Sequence, residues 1–317
     1  MARLSVLIVS YNTRDLTLEC LRSLREHEPD ARVIVIDNAS TDGSAEAIER
    51  LYPYVTLLRP GLNLGFARAN NLAYDHLVNH GGTTIGTKRG VAATVDNGGQ
   101  YVVLLNSDTV LHDDALTRAC DRMDDAFWLG ATSPRLVGTD GVEQRAAHRF
   151  PTYRAMAAKA LRRRPKKGVK PPHYLAGTCL VLRRQAVVQA GGLFDPKLWF
   201  YWEDAELGSR LLGKGWQFEV LRNVKITHHG GASGGGPDAR RRPDLHAWYL
   251  YGRQYWFSRH RPRWESVGVW GLEAIDSVRM TLRGIVRPTR RHEIAQARQV
   301  AKVCVGRLLG RHPAPLS

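Results

Sequence analysis

Three apolar runs in this chain stop at polar clusters that could do chemistry. The run Tyr101–Leu105 ends in Asn106, Ser107 and Asp108, Val33–Ile36 ends in Asp37 and Asn38, and Leu4–Val9 ends in Ser10, Tyr11 and Asn12. Each cluster suits a turn, because Asn, Asp and Ser side chains readily bond nearby backbone. Three such ends on one rim also suit a charged ligand at the edge of a parallel sheet. A fourth cluster lies in "WFYWEDAEL" (199–207), where Glu203 and Asp204 adjoin four aromatic residues. Water-poor surroundings raise a carboxylate's pKa and fit it for general-base work. The same acids equally fit the first turn of a helix, stabilised by its dipole. His228 and His229 are surface decoration or, set beside a strand-end Asp, a cation ligand.

The elements that position these groups follow from the apolar pattern. Residues 4–10, 32–37, 55–59 and 101–106 are short apolar runs, too short for helices and suited to buried strands. Helical segments fall between and after them: about 14–27, with Leu16, Cys20, Leu21 and Leu24 on one face; a segment after "DNASTDGS", opened by Ser40 or Thr41 as N-cap; a polar turn and helix over 63–77; and about 113–125. Strands alternating with helices predict parallel pairing in a doubly wound α/β sheet, with ligands at the carboxyl ends of the strands. A second segment reads as a strand at 173–184, a short helix, a helix over 204–215, a strand at 216–221 and a glycine-rich loop at 227–236. Residues 79–100, rich in Gly and Thr and without periodicity, read as a mobile insertion loop. The first strand–helix turn, "SYNTRD", lacks the G-x-G-x-x-G of a dinucleotide fold, which argues against a dehydrogenase. Asp37 alone does not discriminate, since an acidic ribose ligand would stand in the same place.

The chain has 317 residues, 43% hydrophobic, enough for a sizeable core. No apolar run approaches the ~18–20 residues that span a bilayer, and the N-terminus makes a poor signal peptide, so a cytoplasmic location is expected. Cys20, Cys120, Cys179 and Cys304 lack metal or redox spacing and read as incidental thiols. A net charge of +16 calls for an acidic partner. It is uneven: residues 238–317 hold 16 Arg and Lys against 6 Asp and Glu. There Trp248, Tyr249, Tyr251, Tyr255, Trp256 and Phe257 lie among arginines, which suits a helix on an anionic membrane with its aromatics at the interface. A helical appendage or dimer contact is the plainer reading. Nucleic-acid binding finds no zinc spacing, RNP-type strand or helix-turn-helix signal here.

Taken in order, "VLIVSYNTRDLTLECLRSL", "VIVIDNASTDGS", "NLGFARANN", "VVLLNSDTVL", "AGTCLVLRRQAVVQAGGLFDPKLWFYWEDAELGSRLLGKGW" and "HHGGAS" resemble the family-two glycosyltransferases, especially their bacterial rhamnosyltransferase-like branch. The resemblance covers about residues 4–235. It implies a GT-A fold over 1–237, Rossmann-like with a mostly parallel central sheet and flanking helices, followed by a basic helical extension over 238–317. It implies that Ser10, Tyr11, Asn12, Asp37 and Asn38 hold the nucleotide, Asp37 accepting the imino N–H of uracil or thymine. Asn63, Gly65 and Asn70 would shape the wall, Gly65 by allowing close backbone approach. Asn106, Ser107 and Asp108 occupy the family's D-x-D position, with Asn106 replacing the first acid. Asp108 and His228, with His229 as fallback, would hold Mg²⁺ or Mn²⁺ on the donor diphosphate. Asp204, with Glu203 beside it, would be the base of an inverting displacement, and Gly177 and Thr178 would lie near donor sugar and acceptor. Arg149 would reach a phosphate or stand in solvent. By branch resemblance the donor is dTDP-L-rhamnose, with a UDP-sugar as alternative. The acceptor is a saccharide hydroxyl, polyprenyl-diphosphate-linked, in cell-envelope polysaccharide synthesis at the inner face of the plasma membrane.

Overall fold

The computed structural model describes residues 3–80, 83–86, 92–95, 99–160, 173–230, 243–287 and 292–309. In chain order the amino-terminal half runs β1 (Leu4–Ser10), α1 (Arg14–His27), β2 (Arg32–Asp37), α2 (Ser44–Leu51), β3 (Thr56–Leu58), α3 (Gly65–His80), β4 (Thr83–Gly86), β5 (Ala92–Val95), β6 (Tyr101–Asn106), β7 (Thr109–Val110) and α4 (Ala115–Asp125). There follow β8 (Leu129–Val137), β9 (Glu143–Gln144), β10 (Ala147–Arg149), α5 (Tyr153–Ala160), β11 (His173–Leu175), β12 (Cys179–Arg183), α6 (Arg184–Gln189), α7 (Glu203–Gly213) and β13 (Gln217–His228). The chain continues as α8 (Pro243–His260), α9 (Arg263–Val286) and α10 (His292–Leu308).

The continuous apolar runs pair as expected: β3, β2, β1 and β6 lie side by side in parallel. The sheet then becomes mixed, because β12 enters antiparallel between β6 and β8, while β13 runs parallel to β8 and antiparallel to β7. Side chains alternate between two cores, as the pleat requires. Leu7, Ile34, Ile36, Val102 and Leu104 face one, and Val6, Ile8, Val33, Val35 and Val103 face the other.

Several expectations need correction. Residues 79–100 are not without regular structure: β4 and β5 pair antiparallel, and the rest of that stretch apart from 79–80 and 99–100 lies outside the described residues. The 173–184 strand is two, parted at Ala176-Gly177-Thr178, and the last strand of the sheet continues to His228, so Thr227 and His228 are strand rather than loop. Helix α2 is capped at Gly43, in left-handed backbone, not at Ser40 or Thr41. On α1 Leu16 is only half-buried, and Thr17 takes the buried place beside Cys20.

The largest departure concerns the aromatic tail. Trp248, Tyr251, Tyr255, Trp256 and Phe257 are buried in the same core as β1 and β6 rather than offered to a surface. Trp248 stacks on Trp199 with centroids 5.5 Å apart, and Trp256 Nε1–H donates to Ser209 Oγ at 2.8 Å. A Cβ on Gly252 would lie 2.8 Å from the Trp202 ring and 2.9 Å from Tyr201 O, so glycine is what lets α8 pack this closely. Each buried aromatic contributes about 1.5–3 kcal/mol; α8 therefore helps hold the 199–202 loop in place.

Candidate active site

Parallel packing brings the ends of β1, β2 and β6 to one rim. A cavity of about 420 Å³ opens there, lined on one side by Tyr11, Asn12, Asn38 and Asn63, at its floor by Asn106 and Ser107, and on the other side by Gly177, Thr178, Glu203 and Asp204. Phe66, Trp199, Phe200, Tyr201 and Leu245 add an apolar wall.

At the nucleotide side, polar groups support one another. Asn12, in left-handed backbone, accepts from the Thr41 N–H at 2.8 Å and donates its own N–H to Ser40 Oγ at 3.0 Å, tying the first turn to the second. Asn38 Nδ2 donates to Asn63 Oδ1 at 2.8 Å, and the Leu64 N–H donates to Asn38 Oδ1 at 2.8 Å. Asp37 is buried: its Oδ2 accepts the Ser40 N–H at 3.2 Å, while Oδ1 has no hydrogen-bond donor among the described residues. A buried acceptor without a donor is costly unless a ligand supplies one.

Three residues expected at the nucleotide, Ser10, Asp37 and Asn70, do not line the cavity, and neither do Asp108 and His228. Ser10 lies beneath the floor, its hydroxyl within 2.9 Å of Thr17 Oγ1, in a buried hydroxyl cluster that reaches Ser107 through Thr13. Asn70 turns inward on α3 and donates to Phe66 O at 2.9 Å. Gly65 lines the cavity, but the close approach it permits is internal. Its φ is 75°, and a Cβ would stand 2.4 Å from Trp199 O, which accepts the Phe66 N–H at 2.8 Å. Arg149 is exposed on β10 and does not line the cavity.

The carboxylate pair opens α7 after two consecutive non-glycine residues in left-handed backbone, Tyr201 and Trp202, at φ 70° and 73°. Such strain persists only where the surroundings over-determine it, here the α8 packing. Burial among the aromatics pushes both carboxyls up. The nearby Asp204 charge drives Glu203 further, and its Oε2 has no hydrogen-bond donor among the described residues. Asp204 is pulled back by N–H donors from Ala205, at 2.7 Å, and Gly177. Glu203 is thus raised further than Asp204, which leaves Asp204 the more readily ionised of the pair and the better placed to take a proton.

On the far side of Ser107, the register of β13 on β7 sets His228 opposite Thr109, one residue from Asp108. His228 Nε2 stands 3.3 Å from Asp108 Oδ1. Gln144 fixes the ring: its Nε2 donates to His228 O at 3.0 Å, so its Oε1 must accept from His228 Nδ1–H at 2.6 Å. In the neutral ring that leaves the Nε2 lone pair facing a carboxylate, an arrangement a cation relieves. Two neighbouring ligands of a six-coordinate ion, each at about 2.1 Å, lie about 3 Å apart, so the donor pair fits Mg²⁺ or Mn²⁺. Among the described residues no group of three such ligands forms, so diphosphate oxygens and water would complete the shell. His229 turns away, its Nε2 3.5 Å from Glu19. Gln144 was not expected; it sits in a stretch without a motif, and only the pairing of β9 with β8 carries it to the histidine. Gln144→Leu is expected to weaken Mn²⁺ binding about 10–100-fold by titration, as losing an outer hydrogen bond to a ligand does; unchanged affinity would remove Gln144 from the site.

Comparison with known proteins gives the family and the fold. A family model described as Glycosyl transferase family 2 matches residues 5–190, and one described as Glycosyl transferase family group 2 matches 101–298. The N-acetylglucosaminyl-diphospho-decaprenol L-rhamnosyltransferase of two Mycobacterium tuberculosis strains is 29% identical over 286 residues, 83% of this chain and 87% of the relative. Among solved structures, a mannosyltransferase from Pyrobaculum calidifontis in complex with GDP-Man and Mn²⁺ superposes with TM-score 0.53 at 16% identity, over 98% of this chain and 88% of that one. S. aureus TarS gives 0.52 at 14% identity, over 86% of this chain and 42% of its own.

Proposed function

Since the chain belongs to glycosyl transferase family 2 and has its GT-A fold, we propose that it transfers L-rhamnose from dTDP-L-rhamnose, with inversion, to a hydroxyl of a polyprenyl-diphosphate-linked saccharide. The observation that carries this is one cavity lined at one end by the nucleotide-side asparagines and at the other by a buried, chemically divided carboxylate pair. The similarity to a decaprenol-linked rhamnosyltransferase supports the sugar and the lipid carrier.

In this reading the buried Asp37 Oδ1 accepts the imino N–H of thymine, and Tyr11, Asn38 and Asn63 flank the nucleoside. Asp108 and His228 would hold the divalent cation, which neutralises charge on the departing diphosphate. Asp204 takes the proton of the acceptor hydroxyl as its oxygen attacks the anomeric carbon from the face opposite the leaving group. The apolar wall of Phe66, Trp199, Phe200 and Leu245 keeps water from competing as acceptor. In this reading a lipid carrier is met from a peripheral position at the inner face of the plasma membrane; no described helix is long and apolar enough to cross a membrane.

Thermal shift with Mn²⁺ and a panel of dTDP-, UDP- and GDP-sugars tests the donor. dTDP-L-rhamnose is expected to stabilise most, by about 2.7 kcal/mol at a hundredfold excess over Kd. Stabilisation by UDP-sugars alone would move the donor class while keeping Asp37's role; stabilisation by GDP-sugars alone would overturn the pyrimidine donor.

A further inference from the structure

Helix α9 is 24 residues long, about 35 Å. One side, with Val269, Glu273, Met280 and Gly284, is buried; α9 packs against α5, α8 and α10. The opposite side shows Trp264, Val267, Ile275, Val278, Leu282 and Ile285, each 49–69% exposed. Their spacing of three and four residues, or eight across Gly271, keeps them on one stripe. A single exposed leucine is ordinary, but a continuous stripe over six turns marks a surface that something covers.

The charges around the stripe choose the occupant. Arg263, Arg279, Arg283 and Arg287 are exposed along and just beyond the helix, and Arg298 and Lys302 are exposed on α10. Of the acids on α9, Glu273 is buried against Arg253 and Glu265 faces Arg261, leaving Asp276 exposed. Arg283 is partly balanced by Glu293 at 3.1 Å. A second copy of the chain would bring arginines against arginines across the stripe. An anionic bilayer meets both features at once, taking the apolar side chains below its headgroups while the arginines contact lipid phosphates.

We infer that α9 is the membrane-docking surface of this protein, lying along an anionic bilayer through its Trp264–Ile285 stripe. The inference rests on the lipid-linked acceptor proposed above and moves the contact away from the buried aromatics of α8. It also gives α8 a second role. This helix lines the cavity with Leu245, stacks on the 199–202 loop, and continues across Arg261 and Pro262 into α9, so it connects the cavity wall to the docking helix.

The test is co-sedimentation of the full chain with phosphatidylcholine vesicles, with and without phosphatidylglycerol, in the absence of any sugar nucleotide. The wild type is expected to pellet with the phosphatidylglycerol vesicles, and less so as salt is raised. The double variant Val278→Glu/Leu282→Glu changes two exposed positions, so its melting temperature is expected to be unchanged while its partition falls about tenfold or more. As a control, Phe127→Glu, at the exposed turn before β8, should partition like wild type. Equal pelleting of wild type and double variant would overturn the proposal. So would a solution dimer that the double variant dissociates without loss of vesicle binding. Because no donor or acceptor is present, failure here leaves the transfer reading standing, and failure of the nucleotide panel leaves this one standing.

Discussion

Asp204→Asn is expected to lower sugar transfer about 10²–10⁴-fold, the usual contribution of a positioned base, while dTDP binding with Mn²⁺ stays within about twofold, because the nucleotide end contacts other residues. The neighbouring acid supplies the control. Glu203 is the more strongly raised of the two, so Glu203→Gln, a neutral isostere of its protonated form, should retain most activity. The pH profile separates the roles further. A base must be ionised to work, and burial raises the Asp204 pKa, so kcat/KM should fall on the acid side at a pH above the ordinary carboxylate range. Glu203→Gln should leave that limb in place. If Glu203→Gln abolishes transfer while Asp204→Asn does not, the roles of the two carboxyls are reversed.

That the pair could be singled out from sequence reflects how local its chemistry is. Four aromatics and two acids in six residues are already an apolar box with charges in it, whatever the rest of the chain does. The β1, β2 and β6 ends were legible for the same reason, since an unbroken apolar run of six or seven residues has few other uses. What escaped reading depends on distant partners. The strand β8, "LGATSPRLV", carries glycine, proline, serine and arginine, and becomes a strand because β12 and β13 flank it. Ser10 and Asn70 looked like ligand groups, but their hydrogen bonds are spent inside the protein. The tail misled most, because aromatics among arginines look amphipathic at a membrane only until Trp199 and Trp202 are seen to need partners. The stripe on α9 was equally present in the sequence, but only the packing of α5, α8 and α10 shows which of its faces is left uncovered.

Asp108→Asn is expected to be nearly as damaging as loss of the base, and the reason lies at Asn106. Where the family motif has two acids, this chain has one, so Asp108 is the sole motif carboxylate available to a cation, with His228 as its described partner. Chelation by EDTA should stop transfer and added Mn²⁺ or Mg²⁺ restore it. In Asp108→Asn, Mn²⁺ binding followed by electron paramagnetic resonance should weaken sharply, and transfer should fall about 10²–10³-fold, the loss of several kcal/mol of leaving-group stabilisation. Full activity in chelator, or unchanged Mn²⁺ affinity in Asp108→Asn, would remove the cation from the site. The converse substitution is the sharper test. Asn106 lines the cavity floor beside Ser107, so Asn106→Asp returns the missing charge next to Asp108 and should tighten Mn²⁺ binding. A tighter cation need not speed turnover: the same added charge that holds the ion would also repel the diphosphate it serves. Rising affinity with flat or falling kcat would identify the asparagine as a means of binding a sugar nucleotide and its cation together, with the ion held chiefly by the substrate it accompanies.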